Sequence, residues 1–310
     1  MEKHILIAID SSRPSNDIIN YAFQLTTAIT PITFTLFHVQ PAISTYLTED
    51  AKYKPGARRA LEKIVAENEK KSTELLEEAA QGLMRKGVDE TAIHCTTLPR
   101  NKSVADDILA YASAKMVDAI LVGRRGTSYL KKWFVGSVTA NLVEHSQIIP
   151  IWVVDGKVAS NDILLAVDGS QSALRALDHL AFMLSGASVN AIKLVHVRPV
   201  LQDYCEIKLD EDDTKAAQSI LLDDDQHCMQ DFYSQAVTVL TKNGFDAGKM
   251  ELDTLDGHLS VTKAIIGYAH DNGFGTIVMG RRGQGKGTFF GSVSRGMFQR
   301  SENRALWIVP

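Results

Sequence analysis

The feature that most limits what this chain can fold into is that it is written twice. Ile7-Ala8-Ile9-Asp10 returns as Leu165-Ala166-Val167-Asp168, 158 residues later. Phe37-His38-Val39-Gln40-Pro41 returns as Val195-His196-Val197-Arg198-Pro199 at the same offset. Gly123-Arg124-Arg125-Gly126 recurs after 157 residues, and Gly136-Ser137-Val138 and Trp152-Val153-Val154 after 155. So small a drift over so long a period marks the duplication of a whole domain, not a short solenoid repeat. A chain of 310 residues holds two domains of about 150, each large enough for its own core. The expected domains are 1–156 and 160–310. Between them Asp155-Gly156-Lys157-Val158-Ala159-Ser160-Asn161 is a short polar, turn-rich linker. A linker this short predicts halves packed about a pseudo-twofold axis, an intramolecular imitation of a homodimer. Whether the tandem chain pairs again is left open.

Within each half, short runs of Ile, Leu and Val alternate with longer amphipathic stretches. Strands are expected near 3–9, 32–39, 91–97, 118–123 and 149–154, and helices near 15–29, 58–86, 102–114 and 136–146. Second-half strands are expected near 162–167, 189–197, 248–254, 275–280 and 304–309. Nearly continuous apolar strands separated by helices predict a parallel sheet covered on both faces. Right-handed crossovers make it doubly wound, so the expected class is α/β with two tandem, Rossmann-like domains. Ligands of such sheets sit beyond the carboxyl ends of strands, where strand order reverses. Asp10, Val39 and Gly123 all fall at such ends.

The fourth strand of each half runs into glycine. Gly123, Gly126 and Gly136 are spaced Gly-x2-Gly-x9-Gly, with Ser137 and Val138 opening a helix. Gly280, Gly283 and Gly291 repeat the pattern, followed by Ser292 and Val293, but with seven residues between the last two glycines. Backbone amides without Cβ atoms can approach a phosphate closely, and a helix N-terminus adds unsatisfied donors and partial positive charge. The shorter second loop implies a different phosphate path, or none. Arg124 and Arg281 are read as structural, as phosphate partners or as contacts across the domain interface. Lys131, Lys132 and Lys286 have the reach for a γ-phosphate. Gly280-x4-Gly285-Lys286-Gly287 is a near miss for a P-loop, lacking the hydroxyl residue at 287. G-x-G-x-x-G is absent, which argues against a dinucleotide fold with NAD.

Asp10 and Asp168 each have two readings, a cap for the next helix or a carboxylate accepting from an adenine amino group; Ser170 is a candidate cap beside the second. His38 and His196 read as buried, hydrogen-bonded histidines, since no nucleophile or carboxylate partner is singled out for them. Between 203 and 225 nine acidic residues face two lysines, which reads as a solvated loop and helix face and lacks EF-hand spacing. A net charge of −4 argues against nucleic-acid or anionic-membrane partners, and no apolar run approaches the roughly 20 residues that span a bilayer. The opening run reads as a strand rather than a signal peptide, and three cysteines without a CxxC pair fit a reducing compartment. The expectation is a cytoplasmic protein without a metal or catalytic constellation.

These residues resemble the nucleotide loop of the universal stress protein family. The aspartate ending the first strand and the His-Val ending the second resemble it too. The resemblance covers nearly the whole chain as two tandem domains of the adenine nucleotide alpha-hydrolase-like type. It implies that ATP binds, with Asp10 and the backbone of Val39 at the adenine and Gly123, Arg124, Gly126, Gly136, Ser137 and Val138 along ribose and phosphates. In the second half the corresponding residues are Asp168, Val197, Gly280, Gly283, Gly291, Ser292 and Val293. Mg2+ would enter only through the phosphates. The resemblance further implies stress-linked expression, an unidentified protein partner and a nucleotide-dependent regulator, at most a slow ATPase. The alternatives are a weak ATPase or nucleotide-activating enzyme, or an interaction module with empty sites.

Overall fold

The apolar runs become parallel strands. The computed structural model describes the chain apart from residues 1, 11–15, 125–135, 187–191, 202–209, 247, 249, 257–259 and 284–290, and the side chain of Asn16. It divides into two units, residues 1–27 with 31–154, and 28–30 with 155–310. In the first unit the strands are β1 (Lys3–Ala8), β2 (Ile32–Val39), β3 (Ile93–Leu98), β4 (Ala119–Gly123) and β5 (Ile151–Asp155). Their order is β3-β2-β1-β4-β5, every pair parallel. The helices are α1 (Asn16–Ala28), α2 (Thr45–Tyr53), α3 (Pro55–Met84), α4 (Val104–Ala114) and α5 (Ser137–His145). Chain order reverses between β1 and β4, so the residues after Ala8 and after Gly123 leave the sheet side by side.

The second unit repeats this plan. Its strands are β6 (Ile163–Val167), β7 (Ile192–Val197), β8 (Met250–Leu255), β9 (Thr276–Gly280) and β10 (Arg304–Val309). They are ordered β8-β7-β6-β9-β10 and again parallel. Its helices are α6 (Gln171–Leu184), α7 (Glu211–Lys242), α8 (Val261–Asp271) and α9 (Ser292–Arg300). Among the described residues no helix is long and apolar enough to cross a membrane.

Consecutive strand residues are buried, which requires cover on both faces of each sheet. Ile5, Leu6 and Ile7 are 0% exposed, as are Ala119, Ile120 and Leu121 of β4 and Ile277 and Val278 of β9. Helix α6 supplies one cover, burying Leu174, Leu177, Leu180 and Leu184; each such side chain contributes about 1.5–3 kcal/mol. The approach is closest at Gly280, where an added Cβ would lie 2.6 Å from Ser172 Oγ and 2.7 Å from the Ser172 carbonyl carbon. Only a residue without a side chain lets the first turn of α6 rest on the end of β9.

One element adds to the sequence reading, and another fits it. Residues 45–53, to which the sequence assigns no element, form α2, and Lys54 breaks the helix before Pro55 opens α3, as expected of a residue preceding proline. Much of the acidic segment is helical, since α7 begins at Glu211 and is capped by Asp210, whose carboxylate accepts from the Asp213 N–H.

In the second unit, half-buried His179 of α6 stands edge-on to Trp307 of β10, ring centroids 6.0 Å apart. Burial pushes its imidazole down from 6.5 to about 3. The unfolded chain therefore binds a proton in that window that the folded chain refuses, so stability is full above about 6.5 and declines as pH falls. The unfolding free energy should drop by on the order of 1 kcal/mol per pH unit between about 6 and 4. His179→Phe should flatten that slope in urea titrations; an unchanged slope would assign the acid sensitivity elsewhere. Gly280→Ala should cost about 1–3 kcal/mol by overpacking. Gly267→Ala in α8, where an added Cβ meets nothing within 4 Å, should be neutral or stabilising by up to about 1 kcal/mol. Equal effects of the two in chemical denaturation would contradict the close approach at Ser172.

Candidate functional site

A strand that must turn into a helix leaves main-chain groups to be paired, and both units pair them in the same way. In the first, the Arg124 N–H donates to the Val154 carbonyl at 2.8 Å, carrying the β4–β5 ladder one residue past Gly123. The chain comes back at Gly136, whose N–H donates to the Arg124 carbonyl at 2.9 Å. The Thr139 hydroxyl then donates to the Gly123 carbonyl at 2.8 Å. In the second unit the Arg281 N–H donates to Val309 at 2.6 Å and the Gly291 N–H to Arg281 at 3.1 Å. The Ser294 hydroxyl donates to the Gly280 carbonyl at 2.9 Å. Each intervening loop is thus closed at its base by a residue pair and a hydroxyl. Gly126, with Arg125, Lys131, Lys132 and Lys286, lies outside the described residues.

The helices that follow start without a side-chain cap. Gly136 and Gly291 occupy the N-cap positions of α5 and α9 and offer no side-chain acceptor. By contrast Ser103, Ser170, Asp210 and Ser260 each accept a first-turn N–H of α4, α6, α7 and α8. Helices α2 and α3 also lack such a cap, but neither follows a strand-end glycine. Ser137 and Ser292 are exposed, with Val138 and Val293 half-buried behind them. First-turn amides without an internal acceptor suit an anion from outside.

The neighbouring strand ends hold the other candidates. Asp10 is exposed two residues beyond β1, and the Ile9 N–H donates to Phe37 at 2.9 Å. Val39 and Val197 close β2 and β7 and are buried. Beyond them the N–H groups of Gln40 and Arg198 donate to Leu98 and Leu255, at 2.8 and 3.0 Å. Asp168 folds back on its own turn. One carboxylate oxygen accepts the Ser170 N–H at 3.1 Å, and the other lies 2.8 Å from where a Cβ on Gly283 would stand. Ser170, not Asp168, caps α6. A Cβ on Gly291 would in turn lie 3.5 Å from the Gly283 nitrogen. Asp168, Gly283 and Gly291 therefore meet at one spot.

The two histidines are buried as expected, but their partners differ. In the first unit His38 Nδ1 lies 3.1 Å from the hydroxyl of Ser72 on α3, which itself donates to the Asn68 carbonyl at 2.7 Å. Burial holds the His38 imidazole below its usual value, and the Asp10 carboxylate offsets this in part. In the second unit His196 Nδ1 faces the Val167 carbonyl at 3.0 Å, and Nε2 faces both oxygens of Asp225 on α7 at 3.0 and 2.9 Å. Both ring nitrogens thus face oxygen atoms, and the His196–Asp225 pair is almost enclosed, side chains 5% and 10% exposed. With both nitrogens engaged, His196 has no free position for proton transfer. Sequence reasoning missed Asp225 because its helix joins the strand only in three dimensions. It missed Thr139 and Ser294 although a hydroxyl recurs three residues after each glycine.

Arg124 and Arg281 are 3% and 2% exposed, hence packed rather than solvated, while Arg282 is exposed and donates its N–H to Ser172 Oγ at 3.3 Å. The Arg281 guanidinium is held below its ordinary value, by burial first and then by Arg282 and Arg175. Among the described residues no group of three or more His, Cys, Asp or Glu side chains could hold a metal ion.

Removing one partner of an enclosed hydrogen-bonded pair strands the other. Asp225→Ala should therefore cost about 3 kcal/mol, and Ser72→Ala, which removes a neutral hydrogen bond, about 1 kcal/mol. Urea denaturation of the two variants checks this; equal losses would mean that the charge on Asp225 contributes nothing.

The comparisons with known proteins agree with this architecture. The pattern of the Universal stress protein family matches residues 1–155 and again 160–309. The universal stress protein YxiE of Bacillus subtilis is 29% identical over 156 residues, covering 50% of this chain and 99% of that protein. The crystal structure of a universal stress protein from Archaeoglobus fulgidus superimposes with a TM-score of 0.61 at 19% identity, covering 99% of this chain and 95% of that one. A functionally unknown protein from Pseudomonas aeruginosa superimposes with a TM-score of 0.57 at 14% identity, covering 99% and 92%. With its pattern matched in both halves, the chain belongs to the universal stress protein family as a member with two tandem domains.

Proposed function

We propose that the first unit binds ATP and that the chain acts in the cytoplasm as a nucleotide-dependent regulator of a stress response. The observation that carries this reading is the uncapped start of α5 at Gly136, fastened to the end of β4 at the point where strand order reverses. Adenine would lie at Asp10 and the main chain of Val39. Ribose and phosphates would run along Gly123, Arg124, Gly126, Gly136, Ser137 and Val138, with any Mg2+ held by the phosphates. Amide bonds to a charged group are worth roughly 1.5–3 kcal/mol each. Three or four give a gross figure of about 5–10 kcal/mol, and ordering costs bring this toward micromolar affinity. Binding would act through the Gly126–Gly136 loop and shift assembly or partner affinity.

The second unit offers Val197, Gly280, Gly291, Ser292 and Val293 in the same relation, with Asp168 and Gly283 pressed together. A weak ATPase or nucleotide-activating enzyme is the competing reading. It needs a general base at the phosphates of the first unit. An interaction module with empty sites is the remaining class.

Calorimetric titration with ATP is the test. Wild-type protein should bind at about micromolar affinity, and Gly126→Val should lose that binding while keeping its circular dichroism and melting temperature. Unchanged affinity in the variant would move the phosphates away from this loop. Steady turnover well above background would favour the enzyme, and no heat at all the interaction module.

A further inference from the structure

The two strand-end histidines differ in which ring atoms are occupied, and a count of hydrogens brings the difference out. A serine hydroxyl has one hydrogen and two lone pairs. Ser72 on α3 donates its hydrogen to the Asn68 carbonyl at 2.7 Å. Toward His38 Nδ1, 3.1 Å away, it therefore turns a lone pair, and Nδ1 is the donor. Burial holds the His38 imidazole below its ordinary value, so at pH 7 the ring is neutral and carries one hydrogen in all. Nε2 is left as a bare lone pair. Among the described residues no hydrogen bond reaches it, although the residue is only 7% exposed. His196 leaves no such atom, since its Nδ1 faces the Val167 carbonyl and its Nε2 both oxygens of Asp225.

The bare nitrogen belongs to the strand-end site. Strands β1 and β2 pair with Ala8 beside Phe37, and the Ile9 N–H donates to the Phe37 carbonyl at 2.9 Å. His38 comes next on β2, and Val39 after it. Asp10, two residues beyond β1, supplies the charge that acts on the ring, and its carboxylate offsets part of the effect of burial. A buried acceptor that meets no donor is costly, and a ligand N–H placed against it removes that cost. An ionised carboxylate is likewise an acceptor alone. Two acceptors at one strand end suit a group that carries two hydrogens. The 6-amino group of a purine is such a group. A 6-oxo group in its place sets lone pairs against lone pairs, and a site built to accept from a ligand N–H rejects the analogue that lacks it.

We propose that His38 Nε2 accepts a hydrogen from the 6-amino group of the nucleotide in the first unit, beside Asp10, and so selects adenine over 6-oxopurines. Ser72 is a positioning residue, since its lone pair keeps the hydrogen of the ring on Nδ1. The second unit, with both nitrogens of His196 engaged, does not have this means of selection. The inference rests on the nucleotide reading of the first unit, and the experiment keeps the two apart.

Full-length protein is titrated by calorimetry with ATP and with inosine triphosphate, which carries oxygen in place of the amino group. Long-range proton–nitrogen NMR at pH 7 reads the His38 ring in the same samples. In the free protein Nδ1 should carry the hydrogen and Nε2 none, and ATP should shift the Nε2 resonance where inosine triphosphate does not. Wild type should bind ATP about tenfold or more tightly than inosine triphosphate. His38→Phe keeps a ring without a lone pair. It should weaken ATP about fivefold and leave inosine triphosphate unchanged, where a merely structural role would weaken both alike. Ser72→Ala should narrow the ratio of the two affinities when His38 is present and leave it unchanged in His38→Phe. It also carries the test, with the Nε2 resonance, should His38→Phe fail to fold. A hydrogen on Nε2 in the free protein, equal affinities for the two nucleotides in wild type, or a folded His38→Phe with the wild-type ratio overturns the inference and leaves the nucleotide reading standing. No heat with ATP and no shift at Nε2 end both.

Discussion

Everything at the candidate site depends on a single hydrogen bond and its companion, the Gly136 N–H to the Arg124 carbonyl and the Thr139 hydroxyl to the Gly123 carbonyl. A parallel strand that runs out of partners must hand its last groups to something, because unpaired main-chain polar groups in a buried setting are costly. Here the receiving element is the first turn of the next helix, at the end of β4 and beside the strand that begins the domain. That one fastening fixes where α5 starts and which amides it leaves without an internal acceptor. The second unit keeps the arrangement with Ser294 in place of Thr139. The hydroxyl, not the methyl, is therefore what the position requires.

The sequence carried most of the fold because period and composition act locally. Runs such as Ile5-Leu6-Ile7 leave no polar face, so they have to be interior strands, and the doubled motif announces two copies of one domain. What escaped was whatever depends on one element finding another. Helix α2 has a modest pattern of its own and is held by packing on α3. Asp225 looked like one more member of an acid-rich, solvated surface until the path of α7 brought it to His196. Asp168 invited two local readings, cap or ligand, and the turn shows that its carboxylate lies against Gly283 while Ser170 does the capping. The buried state of Arg124 and Arg281 was equally out of reach, since a pair of arginines in a loop carries no signal of which one faces inward.

The duplicated halves also show how a fold keeps its frame while its chemistry drifts. His38 and His196 stand at equivalent strand positions, both buried and both hydrogen-bonded to the long helix laid over the sheet. One rests on the neutral hydroxyl of Ser72, the other on the carboxylate of Asp225 five residues away in the repeat's register. The frame tolerates either because an imidazole can donate to both. The consequence is a different charge on the helix that overlooks each strand-end site. Geometry is inherited, and electrostatics is free to change.

The fastening at the base of each glycine loop has one more effect. Because Arg124 grips Gly136 and Arg281 grips Gly291, the two ends of each excursion are joined whatever lies between them. Shortening such an excursion by two residues, as the second unit does, alters the entropy of closing it by only ~0.2 kcal/mol. The scaffold beneath therefore does not feel the change. Such a clasp turns the loop into an exchangeable insert, whose length and composition can be rewritten without disturbing the strand it leaves or the helix it enters.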